Sequence, residues 1–363
     1  MDFTIDDTTS ELTALVRDMG ERLVTDDSLR ELDARFGPGA ESGGTDKDSA
    51  RFHVRFWEEL VRAGVPAALA PERLGGAGLG VVGEALVMRE LGRVLAPVPL
   101  SPAIRASYLL NALGGCDPDL AEGVATGRII AAVADGDTPE VDWAPIAHLY
   151  LRTMPDELVM PGDFSVERTI PVDFSCAGIV TPAVAHTEPL HRDPAEFDAL
   201  RRRVHLAAHQ WGVIEAALER TAAYATTRHQ FGRPIGSFQA VAARLADGMI
   251  DVDAVRLSTL RASYELDACS RAPVGRKLFD IELTPAARSA AASAHFWACD
   301  AGHRLAHTAV HVHGGVGLDR SEPVHRYFLA AKAGEFRLGG ATRQLLDLGD
   351  VLATAGDPWE YSA

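Results

Sequence analysis

"RHQFGRPIGSFQ", Arg228 to Gln239, lies between two long helical patterns and carries more than a connector needs. Most turns are made with one glycine or one proline. This one has Gly232, Pro234 and Gly236, and adds Arg228, Gln230, Phe231 and Gln239. An arginine beside an aromatic, with amides close by, raises the question of what the turn holds. The segments on either side supply the context.

Upstream, Leu200, Val204, Ala207, Ala208, Trp211, Ile214 and Leu218 recur at three- and four-residue steps, marking a helix with a core face. Downstream, Val241, Leu245, Ile250, Val252, Val255 and Leu260 predict a second long helix. "LTPAARSAAASAHFWACDAGHRLAHTAVHV" predicts a third, begun by Thr284-Pro285, where proline suits the first turn. A fourth covers roughly Glu322 to Leu352, broken near Gly339-Gly340. Four long helices with short connections predict an antiparallel four-helix bundle over residues 194–363.

Further upstream, residues 127–193 change texture. "RIIAAVAD" is a β-like run, and the segments after it, to about Glu188, are short, rich in Val, Thr and Pro, and without helical period. This predicts a small β domain. Residues 1–126 read as helices joined by Gly/Pro loops. "FHVRFWEELVRAG" sets Phe52, Phe56, Leu60 and Val61 on one face and ends at Gly64, a natural C-cap. "GVVGEALVMRELGRVL" behaves similarly through Ala85, Val87, Met88, Leu91 and Leu95, with the tight loop "APERLGGAGLG" between the two. Gly37 to Ser49 is a polar, glycine-rich loop. The fold class is therefore mostly α with a small β domain, and the sequence shows no internal repeat.

Composition narrows the function. The net charge of −16 argues against a nucleic-acid surface, which needs clustered Lys and Arg, but leaves room for a small anionic ligand at a local arginine. Cys116, Cys176, Cys269 and Cys299 form no CxxC pair and suit buried thiols in a reducing cytoplasm. The acidic start, "MDFTIDDTTSEL", lacks a basic region followed by an apolar one, so no signal peptide is expected. Charge interrupts every apolar stretch well before membrane-spanning length, so no membrane span is expected. His303, His307 and His311 share a helical face without an evident carboxylate partner in the sequence, and no metal site is expected.

Helices, a small β domain and a four-helix bundle, in that order, resemble the acyl-CoA dehydrogenase family along nearly the whole chain. "WEELVRAG…APERLGGAG", "RHQFGRPIGSFQAVAARLAD" and "HVHGGVGLDRSEPVHRYFLAAKAGEFRLGGATRQL" carry the resemblance. The second matches the family signature R-x-Q-F-G-x-P-I-x-x-F-Q, and the third matches its Gly-Gly-x-Gly loop. "ELGRVLAPVPL" is similar to the bacterial members that degrade sterol side chains.

The resemblance implies FAD as cofactor, gripped across a subunit interface. Arg228 would pair with the pyrophosphate, since a guanidinium offers forked donors matched to phosphate oxygens. Phe231, with Gln230 beside it, would pack on the cofactor, and Gln239 would hydrogen-bond to it. Gly314 and Gly315 would admit its adenosine end, and His311 stands where the family usually has a glutamine. Taken singly, a lone Arg in a Gly/Pro turn is most often solvated, and a lone Gly-Gly is most often only a turn. Together, at the family's spacing, they favour the cofactor.

The family's proton acceptor is not found. Most members place a Glu before a Gly-Thr pair in the last helical region; here that position falls on Leu338 or Gly339. A minority place it on the first bundle helix, where this chain has Arg202. Glu215 and Glu219 lie several turns away and read as solvated. The β domain is short, and the aromatic-x-Val-Thr-Gly type of segment that lines the flavin ring is not found. The resemblance thus implies the subunit without a catalytic residue in an α2β2 acyl-CoA dehydrogenase. A second family member would supply the Glu, with an electron-transfer acceptor and an acyl-CoA substrate, for which a steroid-like acyl group is one candidate. Two alternatives stay open: a self-sufficient homotetrameric flavoenzyme with an unrecognised base, and a flavin-free structural or thioester-binding protein.

Overall fold

The computed structural model describes residues 4–36, 50–113, 116–136, 140–154, 157–183, 187–189, 192–270, 281 and 283–355. The Gly37–Ser49 loop lies outside them. Helices come first: α1 (Asp7–Leu23), α2 (Asp26–Phe36), α3 (Val54–Arg62), α4 (Val65–Ala68), α5 (Gly80–Arg93), α6 (Leu100–Leu113) and α7 (Pro118–Ala125). Strands come next: β1 (Ala131–Asp135), β2 (Glu140–Asp142), β3 (Leu149–Thr153), β4 (Glu157–Val159), β5 (Phe164–Arg168), β6 (Ala177–Pro182) and β7 (Thr187–Pro189). The chain then runs through α8 (Arg192–Thr227), the short strands β8 (His229–Gln230) and β9 (Arg233–Pro234), α9 (Gln239–Ser270), α10 (Pro285–His313), α11 (Val324–Arg337) and α12 (Ala341–Ala355).

Local chemistry accounts for several boundaries. The Asp6 carboxylate accepts the Thr9 N–H at 2.8 Å and starts α1. His53 Nδ1 does the same for Phe56 N–H at the head of α3, which buries Phe56, Trp57 and Leu60. The Thr284 hydroxyl accepts the Ala287 N–H at 3.1 Å, and Pro285 occupies the first turn of α10. An N-cap contact of this kind contributes about 1 kcal/mol. The Gly339-Gly340 pair, both at positive φ, separates α11 from α12 where the sequence predicts the break.

The chain divides into two units. The first comprises Met1–Val87, Ala96–Arg202 and Leu266–Leu283; the second comprises Met88–Leu95, Arg203–Glu265 and Thr284–Ala363. In the first unit the strands form two sheets, ordered β1-β3-β4-β7 and β2-β6-β5. Ala131 and Val133 of β1 pack with Leu109 and Leu110 of α6, Leu151 and Leu158. Ala132 and Ala134, on the other face of the same strand, pack with Val141, Tyr150 and Val180. A strand buried on both faces needs a continuous apolar run, which is why "AAVA" does not alternate. Asp267, near the end of α9, caps a helix far away in sequence: its carboxylate accepts the N–H groups of Val81 (2.6 Å) and Val82 (3.2 Å) in the first turn of α5. Burial pushes that carboxyl up to about 6.

Among its described residues the second unit is helical apart from the β8–β9 hairpin. Val204, Ala207, Ala208, Trp211 and Ile214 of α8 are buried as their spacing predicts, as are Val252 and Val255 of α9. Ile250 differs from its neighbours in the periodic set: it faces outward, with Met249 and Leu257. Leu345 and Leu346 of α12 are also exposed. Among the described residues all four cysteines are free, and no helix is long and apolar enough to cross a membrane.

Candidate functional site

The "RHQFGRPIGSFQ" stretch closes α8 and opens α9. Arg228 N–H donates to the Tyr224 carbonyl and Ile235 N–H donates to the Arg228 carbonyl, each at 2.8 Å. Between these contacts β8 and β9 pair His229 with Pro234 and Gln230 with Arg233. The two-residue loop is Phe231-Gly232, with φ of 54° and 79°. Two positive φ values are what a type I′ hairpin turn requires. Glycine adopts them freely, whereas a bulky residue there is strained. Phe231 is also 92% exposed, touching Phe238 edge-on at 6.2 Å between ring centres. The guanidinium of Arg233 lies over the Phe238 ring at 4.1 Å. A strained, solvent-facing phenylalanine gains little from this chain's own folding. Arg228, Gln230 and Gln239 are exposed beside it.

The Gly-Gly turn stands at the end of α10. Gly314 has φ 66° and ψ −142°, a conformation reserved for glycine, and its N–H donates to the carbonyls of Val310 and His311. Gly314 to Leu318 then form a 3-10 turn. A Cβ built on Gly314 or Gly315 would meet no atom of this chain within 4 Å, so both backbones face open space. His311 is exposed on the last turn of α10.

The Tyr224 and His313 rings bring these two segments together, stacked at 4.3 Å with 19° between their planes. Tyr224 is four residues before Arg228, and His313 is next to Gly314. The hairpin and the glycine turn therefore share one end of the second unit. Neither ring stands out in the sequence, although each sits beside a motif that does.

The positions where the resemblance seeks a base hold other groups. Leu338 caps α11 and is 1% exposed, its carbonyl accepting from Gln344 Nε2 at 2.8 Å. Arg202 pairs with Asp135 at 3.2 Å. Asp135 also pairs with Arg105, whose guanidinium binds the fully buried Asp198 at 2.7 Å. Burial opposes the charge on Arg105, but Asp135 and Asp198 hold it protonated more firmly than usual. Burial likewise raises the Asp198 carboxyl, with Arg105 opposing.

Glu215, expected to be solvated, is instead largely buried between arginines of α5, whereas Glu219 is exposed as expected and carries one arginine contact. Arg89 and Arg93 both reach Glu215, at 2.6 and 2.7 Å, and Arg93 reaches Glu219 at 2.7 Å. His303, which showed no carboxylate partner in the sequence, lies 3.1 Å from Glu335, which Lys332 also binds at 2.5 Å. Burial pushes the Glu335 carboxyl up, but the contacts from Lys332 and His303 outweigh it and leave it below its ordinary value. Among the described residues no group of three His, Cys, Asp or Glu side chains is arranged to hold a metal.

Comparison with known proteins fits this geometry. Residues 32–115 match the model of the acyl-CoA dehydrogenase N-terminal domain, and residues 199–352 match that of the C-terminal domain. Acyl-CoA dehydrogenase FadE27 of Mycobacterium tuberculosis is 38% identical over 391 residues, covering 97% of this chain and 99% of its own. The chain belongs to the acyl-CoA dehydrogenase family. The solved ChsE4-ChsE5 complex of Mycobacterium tuberculosis contains a chain 35% identical to this one, with a TM-score of 0.82 and coverage of 98% of this chain and 99% of that one. The Tcur3481-Tcur3483 steroid ACAD gives 30% identity and a TM-score of 0.79, covering 96% of this chain and 99% of that one. This acyl-CoA dehydrogenase is accordingly a flavoenzyme-family protein, and FAD is the family's cofactor. The exposed set fits that group: a guanidinium for phosphate, an outward aromatic for a flat ring, amides, and two glycine backbones open to close approach.

Proposed function

We propose that this chain is the subunit of a heteromeric FAD-dependent acyl-CoA dehydrogenase that completes a partner's flavin site without supplying the base. The observation that carries this reading is what occupies the base positions: the buried Leu338 or its neighbour Gly339, and an arginine held by Asp135. None of these can take a proton. Two of the similar solved structures are complexes of two differently named chains, ChsE4-ChsE5 and Tcur3481-Tcur3483, and the latter is described as a steroid ACAD. That supports a second, different chain as partner; in this reading it is a family member that carries the Glu missing here. The same likeness also supports an acyl-CoA substrate with a bulky, steroid-like acyl group.

The chemistry that FAD would supply when bound is acceptance of the β-hydride, which needs a carboxylate to remove the α-proton of the thioester. In this reading the chain's own residues bind and orient. Arg228 would meet the pyrophosphate, Phe231 would pack on the cofactor with Gln230 beside it, and Gln239 would donate a hydrogen bond from the start of α9. His311 would offer one hydrogen bond where a glutamine is usual, and Gly314 and Gly315 would admit the adenosine end.

The test is to produce the chain alone and together with a partner that carries the Glu, recording visible spectra and native mass. The expected result is little bound flavin from the chain alone and a yellow heteromer with the partner. A stable yellow homotetramer with stoichiometric FAD, made from this chain only, would overturn the reading. Flavin in neither preparation would leave the thioester-binding or structural alternative.

Within the heteromer, Arg228→Ala should weaken FAD binding about tenfold to a hundredfold, since a charge-assisted contact contributes about 1.5–3 kcal/mol. Arg228→Lys should recover only part, because an ammonium lacks the fork. FAD affinity equal to wild type in Arg228→Ala would make the arginine structural.

A further inference from the structure

We infer that the Tyr224–His313 ring stack is a positioning pair that sets the spacing between the two cofactor-gripping segments of this chain. The inference rests on the proposed flavin site and goes beyond the residues assigned to it. Each ring stands at the end of its own helix, at the point where the chain leaves for a contact segment. Tyr224 fixes the hairpin in two ways: its carbonyl accepts the Arg228 N–H at 2.8 Å, and its ring stacks on His313 at 4.3 Å. Gly236, on the returning side of the hairpin, comes back against Ala225, where an added Cβ would stand 3.1 Å from the carbonyl oxygen. The hairpin root is thus packed on the last turns of α8, while its tip is exposed.

His313 is fixed on the other side. A carbonyl oxygen only accepts, so the 2.8 Å contact with Ala309 makes Nδ1 the protonated nitrogen and orients the ring along α10. The next residue is Gly314, whose glycine-only conformation begins the turn. Loss of either ring therefore removes the contact that ties together two segments, each starting within four residues of its ring. Aromatic pairs in this geometry are worth more than their buried area alone, and a cofactor gripped by two segments binds tightly only if both are held in place beforehand.

The test is FAD affinity of the co-purified heteromer after flavin removal, titrated by flavin fluorescence, with apoprotein melting followed in parallel. Tyr224→Leu and His313→Ala are each expected to weaken FAD about five- to twentyfold. Tyr224→Phe, which keeps the stack, should stay within about twofold of wild type. The double variant Tyr224→Leu/His313→Ala should be little worse than either single one, because two members of one contact are not additive. A structural role alone would appear in melting and not in this coupling on FAD.

If Tyr224→Leu does not fold, His313→Ala and Tyr224→Phe carry the test. Wild-type affinity in His313→Ala, or fully additive losses in the double variant, would overturn the inference. Arg228→Ala, measured alongside, separates the two levels. Loss there with none at His313 sinks the positioning pair and leaves the flavin site standing. No loss in either sinks both.

Discussion

Arg105→Ala is expected to be the most destabilising single substitution in the first unit. Arg105 is buried, and its guanidinium bridges Asp198, which is 0% exposed, and Asp135, which also holds Arg202. Removing one partner of a buried ion pair leaves an uncompensated charge and costs about 3–5 kcal/mol. For a unit of this size that is a fall in melting temperature of roughly 6–20 °C. The effect should depend on pH, and its sign follows from burial. The folded Asp198 carboxyl sits above its ordinary value, so the cost of its charge is present at neutral pH and is relieved as acid protonates it. Without Arg105 that relief should be larger than in wild type. Asp198→Asn added to Arg105→Ala should restore much of the loss at neutral pH, since no bare charge remains. A melting temperature within a degree or two of wild type for Arg105→Ala would mean that water reaches the network.

The same network shows where sequence reading stops. Arg105 and Asp198 are 93 residues apart, and nothing in the local pattern of either announces the other. Glu215 read as solvated for the same reason: Arg93, which binds it, lies 122 residues before it. Asp267, a plain acidic residue near the end of a helix, caps α5 from 186 residues away. Features set by short-range chemistry were legible. Thr284-Pro285 starts a helix, Gly339-Gly340 breaks one, and the apolar steps from Leu200 to Ile214 are buried. The turn itself was legible because Arg228, Phe231 and its glycines lie within a dozen residues, but the β8–β9 pairing and the positive φ of Phe231 were not. Nor was the root of the hairpin, because the stack that fixes it joins two rings almost ninety residues apart in sequence.

Replacement of the partner's Glu is expected to abolish turnover, while no carboxylate of this chain should matter much to the chemical step. Loss of a true general base costs at least about 10²-fold in kcat, about 2.7 kcal/mol of barrier. Glu215→Gln, Glu219→Gln and Glu335→Gln should each keep kcat within a few-fold. The geometry gives the reason in each case. Glu215 sits between Arg89 and Arg93, and Glu219 is bound by Arg93, so a proton arriving at either would break ion pairs that hold α5 to α8. Glu335 is three residues before Leu338, closest in sequence to the position where the family carries its base, and it is the sharpest of the three tests. Lys332 and His303 keep its carboxyl below its ordinary value, making it a weaker proton acceptor than a free glutamate. A collapse of kcat in Glu335→Gln, with FAD content and assembly intact, would place the base on this chain. The self-sufficient flavoenzyme would then be the better account, and the buried Leu338 would be only the helix cap beside it.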